Sequence, residues 1–314
     1  MSTRTERLPD VRIRDPHILV DAATETYYLT SSLRRSEQHP FGGVEVRASR
    51  NLVDWERPEP VYAVPEENWG RAGVWAPEMH AYRGWYYLFL THNSDEPLPG
   101  VERGASLEPG YPPLVCRGSQ VLLSSSPLGP FRPFHPRPHL PMAMMTLDGT
   151  LWIEEGVHYM VYCHEWVQIG DGTVEAVRLR DDLSDVAGAP RVLFRGSEAP
   201  WGNGSRQEPR SYVTDGPCLF RTRTGRLLMI WSSFAHGVYT TGVAHSDSGK
   251  LAGPWRQQAE PLFTEDGGHG TIFRRFDDQP MLVLHQPNRV PDEHARLLEL
   301  DDTGDTVRIR RPFP

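Results

Sequence analysis

The sequence of 314 residues predicts an all-β protein, a five-bladed β-propeller of four-stranded antiparallel blades formed by residues 1–314 as a single domain. Two observations lead to this fold class. Short aromatic and β-branched segments follow one another along the chain, with no long helical periodicity between them. Five similar segment openings also recur at intervals of about 60 residues, as expected of units that must stack on copies of themselves.

Each predicted blade begins with small or acidic residues that lead into an apolar first strand. These openings lie at 15–21, 76–82, 148–154, 215–221 and 268–274. A tight turn leads to the second strands, at 26–32, 85–93, 158–166, 226–234 and 280–288. Further strand segments complete the blades, at 45–61, 120–134, 174–185, 241–257 and 295–311. One or two helical turns are expected around 181–188. A β-sandwich is the alternative, but it gives no reason for five matching openings.

Composition excludes several classes of function. The net charge is −8 and no run of Lys or Arg exceeds two residues, which argues against a nucleic-acid binder. No apolar stretch reaches the roughly 18 residues of a membrane-spanning helix. The three cysteines, Cys116, Cys163 and Cys218, form no disulfide framework, and the N-terminus has no apolar signal segment. We therefore expect a cytoplasmic protein, and the oligomeric state stays open.

Carboxylates occur at three of the five blade openings, as Asp15, Asp148 and Asp215. In a propeller the first strands line the central channel, so the openings converge at one mouth. An Asp before Gly or Pro is often only a turn residue. The occurrence of three at matching repeat positions favours an acidic pocket instead. Carboxyls in one pocket acquire unequal proton affinities, which suits the hydrolysis of glycosides.

The second strands return to the same mouth and are expected to add substrate contacts. The residues predicted to bind substrate are Trp75, Glu78, His164, Trp166 and His285, and Trp231 is a further flat surface for a sugar face. Individually, a tryptophan is more often a core or blade-packing residue than a sugar platform. Glu165 follows an apolar strand, where a charged residue needs a reason, and it is a further catalytic candidate.

His269 stands in a Gly-Gly-His-Gly segment at the fifth opening. It is expected to hold an ion such as Ca²⁺ on the propeller axis, to hold a water, or to orient a carboxylate. Alternatively, it caps the glycine turn. One histidine provides no ligand set of recognisable spacing, so we expect no required cofactor.

Five stretches carry a resemblance to a known family. The chain resembles glycoside hydrolase family 43, in clan F, the five-bladed propeller arabinofuranosidases, xylosidases and arabinanases. The stretches are 14–21, 74–89, 147–166, 213–234 and 267–276. The resemblance implies an inverting mechanism on furanosides or xylosides, with Asp15 as the general base and Asp148 as the carboxylate that tunes the acid. The family acid is a glutamate before Gly-Pro, and this chain has Asp215 there.

Two residues therefore remain candidates for the general acid, Asp215 and Glu165. Glu165 is favoured because apolar surroundings raise the pKa of a carboxyl, as a general acid near neutral pH requires. The acid and base of an inverting enzyme should lie roughly 6.5–9.5 Å apart.

The expected function is exo-acting release of a terminal furanose, first of all α-L-arabinofuranose, from a carbohydrate substrate. A β-D-galactofuranosidase or a β-D-xylosidase on the same scaffold is an alternative. Alternatives from other classes are a non-catalytic carbohydrate-binding propeller, which the Asp215 departure favours, and a scaffold for protein partners, which needs no converging carboxylates.

Overall fold

The computed structural model describes residues 5–204 and 211–314, which form five four-stranded antiparallel sheets in sequence order. Each sheet takes its four strands in chain order, interrupted in the first sheet by one two-residue strand, so the predicted five-bladed β-propeller is confirmed. Within the described ranges no helix has the length and apolar character needed to cross a bilayer.

The elements of the N-terminal segment and of blade 1 are β1 (Glu6–Arg7), a 3-10 helix (Leu8–Asp10), β2 (His17–Asp21), β3 (Thr26–Leu33), β4 (Gly43–Ser49), β5 (Asp54–Trp55), which pairs with β1, and β6 (Glu59–Ala63). Blade 2 contains β7 (Gly73–Tyr82), β8 (Trp85–Pro97), β9 (Val115–Ser124) and β10 (Arg132–Pro133). Blade 3 contains β11 (Thr146–Glu154), β12 (Val157–His164), α1 (Trp166–Ile169), β13 (Thr173–Arg178), β14 (Arg191–Arg195) and a 3-10 helix (Gly196–Glu198). Blade 4 contains β15 (Asp215–Arg221), β16 (Leu227–Ala235), β17 (Val238–Ser246) and β18 (Trp255–Gln257). Blade 5 contains β19 (Gly268–Arg274), β20 (Pro280–Gln286), β21 (His294–Asp302) and β22 (Val307–Pro312).

The hydrophobic core is divided among the interfaces between neighbouring blades. One cluster of buried apolar side chains lies between each pair of adjacent blades, and the first strands of neighbouring blades contact each other around the channel. Trp231 belongs to the cluster between blades 3 and 4, where it is fully buried and its Nε1 donates a hydrogen bond of 3.0 Å to Gln257. The prediction that Trp231 offers a sugar platform is therefore wrong.

The N-terminal segment seals the junction between the last blade and the first. Leu8, Val11 and Ile13 are buried in the cluster that joins blades 5 and 1. The amide of Ile13 donates to the carbonyl of Glu293, and Arg12 forms an ion pair of 2.9 Å with the Glu293 carboxylate. The segment thus brings the chain into the mouth immediately before Asp15.

The expected helical turns around 181–188 are absent, and this part of the described chain consists of turns. The carboxylate of Asp182 accepts hydrogen bonds from the amide and the hydroxyl of Ser184, and Leu183 has a φ of 61°. An Asp side chain that bonds the local backbone in this way competes with helix formation.

A backbone irregularity marks the same point in every blade opening. In blades 2 to 5 the pairing of the first and second strands is interrupted there by a bulge. The equivalent residues all have positive φ, between 42° and 55°, and they are Asp15, Ala76, Asp148, Gly216 and His269. Asp215 therefore lies one residue before the position of Asp15 and Asp148, which corrects the prediction that the three carboxylates share one repeat position.

Candidate active site

Three of the positions with positive φ, Asp15, Asp148 and His269, are held by hydrogen bonds that cross from one blade to the next. The amide of Asp148 donates to Thr91 Oγ1 at 2.9 Å, and the amide of His269 donates to Ser232 Oγ at 2.9 Å. Around the ring, the amide of Asp15 donates to His285 Nδ1 at 3.3 Å. In each case the acceptor lies on the second strand of the preceding blade. Since left-handed backbone is unfavourable for residues other than glycine, this support fixes where the three side chains emerge.

The imidazole of His269 lies among three carboxylates. Its Nδ1 is 3.2 Å from Asp215 Oδ1, 3.3 Å from Asp15 Oδ1 and 3.9 Å from Asp148 Oδ2. Burial alone would lower the pKa of His269, but the charges of Asp15 and Asp215 raise it well above its ordinary value. A buried imidazolium at this position neutralises part of the acidic cluster.

Asp148 and Asp215 divide one proton unequally. Burial raises the pKa of Asp148 well above its ordinary value, and although His269 opposes this, the nearby charge of Asp215 adds to it. Burial would also raise the pKa of Asp215, but His269 and hydrogen bonds from Asp148 and Tyr239 hold it below its ordinary value. Asp148 is therefore the protonated member of the pair and Asp215 the ionised one.

Asp15 is ionised in spite of its burial. Desolvation would raise its pKa, but the charge of the neighbouring His269 holds the pKa below its ordinary value. Arg14 adds to the effect, since its Nε lies 3.7 Å from Asp15 Oδ1. Asp15 is therefore in the protonation state that a general base requires.

Glu165 has the opposite character, that of an acid. It follows β12 and precedes α1, so the end of the second strand and the first helical residue fix its backbone, and its amide donates to the carbonyl of Met145 at 2.9 Å. Burial raises the pKa of Glu165, and a hydrogen-bonded ion pair with Arg117 opposes the increase only in part. Arg117 is oriented by Asn93, whose Oδ1 accepts from its Nε at 2.7 Å.

The four carboxyl groups line one cavity of about 490 Å³. Six of the predicted site residues line it, namely Asp15, Asp148, Glu165, Asp215, Trp75 and Trp166. Trp75 is 43% exposed, and the guanidinium of Arg117 lies over its ring, 4.3 Å from the ring centre. The cavity thus combines four carboxyls with an indole surface on which an apolar sugar face could rest.

Three residues that we predicted to bind substrate lie elsewhere. His285 is fully buried behind Asp15, and its Nε2 bonds Asn288 Oδ1 at 3.2 Å. His164 faces away from the cavity and bonds Glu175 at 3.3 Å and Gln168 at 2.9 Å. Glu78 lies further along the channel, in a different cavity. None of the three lines the cavity of the proposed site, and the predictions that they bind substrate there are corrected.

Sequence reasoning missed three residues of the site. Arg117 orients Glu165, Tyr239 donates a hydrogen bond to Asp215, and Arg14 lines the cavity beside Asp15. Arg117 and Tyr239 lie on third strands, which carry no repeated opening. Arg14 directly precedes Asp15, and its position in the N-terminal entry to the mouth was the signal available for it.

Asp148, Asp215 and His269 place three potential metal-ligand atoms within 4.8 Å of one another. Calcium prefers six to eight oxygen ligands at about 2.3–2.6 Å. Here the imidazole nitrogen itself lies between the carboxylates, at distances typical of hydrogen bonds and ion pairs. The donor set does not fit the expected calcium ion, and orientation of the carboxylates, the other role expected of His269, agrees with the geometry.

Comparisons with known proteins agree with this fold. The model of glycosyl hydrolases family 43 matches residues 9–311. An endo-arabinase from Bacteroides thetaiotaomicron VPI-5482 is 35% identical, with a TM-score of 0.80 over 93% of this chain and 95% of that chain. An endo-1,4-beta-xylanase from the same organism is 21% identical, with a TM-score of 0.73 over 98% of this chain and 97% of that chain.

An alpha-L-arabinofuranosidase from Lactobacillus brevis is 17% identical, with a TM-score of 0.75 over 98% of this chain and 96% of that chain. The last two likenesses concern the fold alone. A search of curated proteins found no match. Because the family model covers nearly the whole sequence, the chain belongs to glycosyl hydrolases family 43.

Proposed function

We propose that this glycoside hydrolase releases α-L-arabinofuranosyl units with inversion, using Asp15 as the general base and Glu165 as the general acid. One observation carries the proposal. An ionised carboxylate, Asp15, and a carboxyl with a raised pKa, Glu165, line the same cavity from different blades. Inverting hydrolysis needs this pair of protonation states, one to activate water and one to protonate the leaving oxygen.

Asp15 removes a proton from the water that attacks the anomeric carbon. Its backbone is fixed by the bond to His285, and its charge is maintained by His269. The charge that favours the ionised carboxylate, with His269 Nδ1 at 3.3 Å from Asp15 Oδ1, is therefore in place before the substrate arrives.

Glu165 is a better acid than Asp215 on two grounds. Asp215 has a pKa below its ordinary value, whereas burial raises the pKa of Glu165. In addition, Asp15 Oδ1 and Asp215 Oδ1 both lie within 3.3 Å of His269 Nδ1. These two Oδ1 atoms are therefore at most about 6.5 Å apart. Inverting enzymes separate the acid from the base by roughly 6.5–9.5 Å to admit a water, so this value is only at the lower limit.

Asp215 then has an electrostatic role together with Asp148 and His269. Positive charge develops on the sugar ring as the glycosidic bond breaks, and an ionised Asp215 stabilises that charge. The protonated Asp148 and the imidazolium of His269 keep the cluster from carrying three uncompensated negative charges. This distribution of protons leaves Asp15 free to act as the base.

The choice of sugar is supported by one similar protein, 35% identical to this chain and described as an endo-arabinase. The expected exo action places the terminal furanose against Trp75. Endo action on arabinan is the second candidate. A groove of about 700 Å³ continues from the cavity, shares Arg14, Ser32 and Val290 with it, and has room for further sugar units.

The test compares Glu165→Gln with Asp215→Asn on aryl α-L-arabinofuranosides. Loss of the acid should spare a dinitrophenyl leaving group and slow hydrolysis of arabino-oligosaccharides on the order of 10²–10⁴-fold. We expect this selective effect in Glu165→Gln, whereas Asp215→Asn should slow both substrates alike. The assignment of the acid is wrong if the two variants exchange these behaviours.

Two further measurements complete the test. Proton NMR of the first product should detect the inverted anomer. Aryl β-D-galactofuranoside and aryl β-D-xyloside serve as competing substrates, and turnover of either in preference to the arabinofuranoside contradicts the proposed sugar. The product lengths from linear arabinan distinguish exo from endo action.

A further inference from the structure

A second polar layer lies deeper in the channel, beyond the catalytic mouth. It is formed by residues two positions further along each first strand, and all five side chains are buried: His17, Glu78, Thr150, Cys218 and Thr271. They line a cavity of about 430 Å³ that is separate from the one containing Asp15 and Glu165. The proposed hydrolysis uses none of these residues.

Three metal-ligating side chains converge in this cavity. His17, Glu78 and His80 each place a potential ligand atom within 4.8 Å of the other two. Glu78 Oε2 and His80 Nε2 are 3.1 Å apart. The two groups already form a hydrogen bond or ion pair with each other. Two ligands of one tetrahedral zinc ion, each bound at about 2.0–2.1 Å, stand roughly 3.3 Å apart, so zinc can replace this contact with little movement of either side chain.

His17 is weakly held by the protein itself. Within residues 5–204 and 211–314, the hydrogen bond recorded for its ring is a long one of 3.4 Å from the amide of Met79 to Nδ1. Buried polar groups normally have well-formed partners. An imidazole this buried, beside a carboxylate and a second imidazole, leaves coordinating capacity that the protein does not use.

We propose that His17, Glu78 and His80 bind a divalent transition-metal ion, zinc first of all, in the channel below the catalytic mouth. Two imidazoles and one carboxylate select zinc or a similar first-row metal over calcium and magnesium, which prefer oxygen ligands. A water molecule takes the fourth position, for which the cavity has space.

The ion joins two blades. His17 belongs to the first strand of blade 1, whereas Glu78 and His80 belong to the first strand of blade 2. A ligand that binds the folded chain in preference to the unfolded chain raises stability with its concentration. Zinc should therefore raise the melting temperature of the protein, and calcium at the same concentration should not.

The experiment uses the full chain, stripped with a chelator and dialysed against zinc chloride. Elemental analysis should give one equivalent of zinc per chain in the unmodified protein. His17→Gln and His80→Gln should each weaken zinc affinity on the order of 100-fold or more, since loss of an outer-shell partner alone costs 10–100-fold. His39→Gln is the matched control, because His39 lies in the other groove, and it should bind zinc normally.

His269→Asn tests whether the zinc is bound in the catalytic mouth and not by His17, Glu78 and His80. If this variant loses the zinc while His17→Gln and His80→Gln keep it, the proposal is overturned. An unmodified chain that retains no zinc after dialysis overturns it as well.

A measurement on the unmodified chain guards against variants that fail to fold. X-ray absorption of the zinc-loaded protein should detect two imidazole ligands and oxygen donors. A spectrum with fewer than two imidazoles contradicts the proposed site.

Discussion

Arg117 donates a hydrogen bond to Glu165 and thereby sets both the orientation and the acidity of the proposed acid. The same guanidinium lies against the ring of Trp75 and bonds Asn93. Since Arg117 and Asn93 belong to blade 2 and Glu165 follows β12 of blade 3, the acid is positioned by the interface between two blades. The proton affinity of Glu165 therefore depends on a residue of the neighbouring blade.

Arg117→Met should move the alkaline limb of the kcat/KM profile to higher pH. A general acid acts while protonated, so the rate falls as the pH rises through its pKa. The charge of Arg117 opposes the increase in pKa that burial causes, and its removal lets the pKa of Glu165 rise further. The rate at the optimum should fall on the order of 10–100-fold because the acid is less well positioned. Arg117→Lys keeps the charge and should keep the limb close to its original place. A shift of the limb to lower pH in Arg117→Met contradicts the assignment.

His269→Asn should destabilise the protein more at pH 6 than at pH 9. The pKa of His269 is raised well above its ordinary value of 6.5 in the folded state. Stability from its positive charge is therefore complete below pH 6.5 and is lost as the pH rises through the higher folded-state pKa. Removing one partner of a buried ion pair costs about 3–5 kcal/mol, and asparagine tolerates the positive φ of this position. Urea denaturation at both pH values measures the difference, and a difference that grows toward pH 9 contradicts the proposed charge on His269.

Gly216→Ala should reduce both stability and activity. Gly216 has a φ of 51°, and a Cβ built there would lie 2.8 Å from His269 Cγ and Cδ2. Gly225 is a matched control, because it has a φ of 84° and a Cβ there would meet no atom within 4 Å. Both alanine variants should lose about 1–2 kcal/mol from left-handed backbone strain. Gly216→Ala should lose about 1–3 kcal/mol more because His269 must shift. Equal stability losses in urea, with equal kcat/KM, would contradict the close approach of Gly216 to His269.

The blades and the mouth could be predicted from the sequence repeat. The register between paired strands could not. Asp15 and Asp148 could be placed because the five openings are visible in the sequence and a propeller brings openings together. The one-residue offset of Asp215 depends on a bulge in strand pairing, and a bulge becomes visible only when both partner strands are known.

The alternation of side chains explains the residues that were placed wrongly. Successive residues of an extended strand point to opposite sides, so His164 turns away where Glu165 turns toward the cavity. Glu78 lies two residues beyond Ala76 along the channel and so reaches the deeper layer. Arg117 could not be found, because a long side chain on a third strand reaches the mouth with no local pattern to mark it.

Trp75 and Trp231 should respond in opposite ways to substitution. Trp231 is fully buried between blades 3 and 4, so Trp231→Ala should cost about 3–5 kcal/mol of unfolding free energy. Trp75 is 43% exposed beside the proposed acid, so Trp75→Ala should leave stability nearly unchanged and raise KM for arabinofuranosides on the order of 10-fold. Urea denaturation and steady-state kinetics on the two variants measure both effects. If Trp75→Ala leaves KM and kcat unchanged while the protein remains folded, the sugar does not rest on this indole.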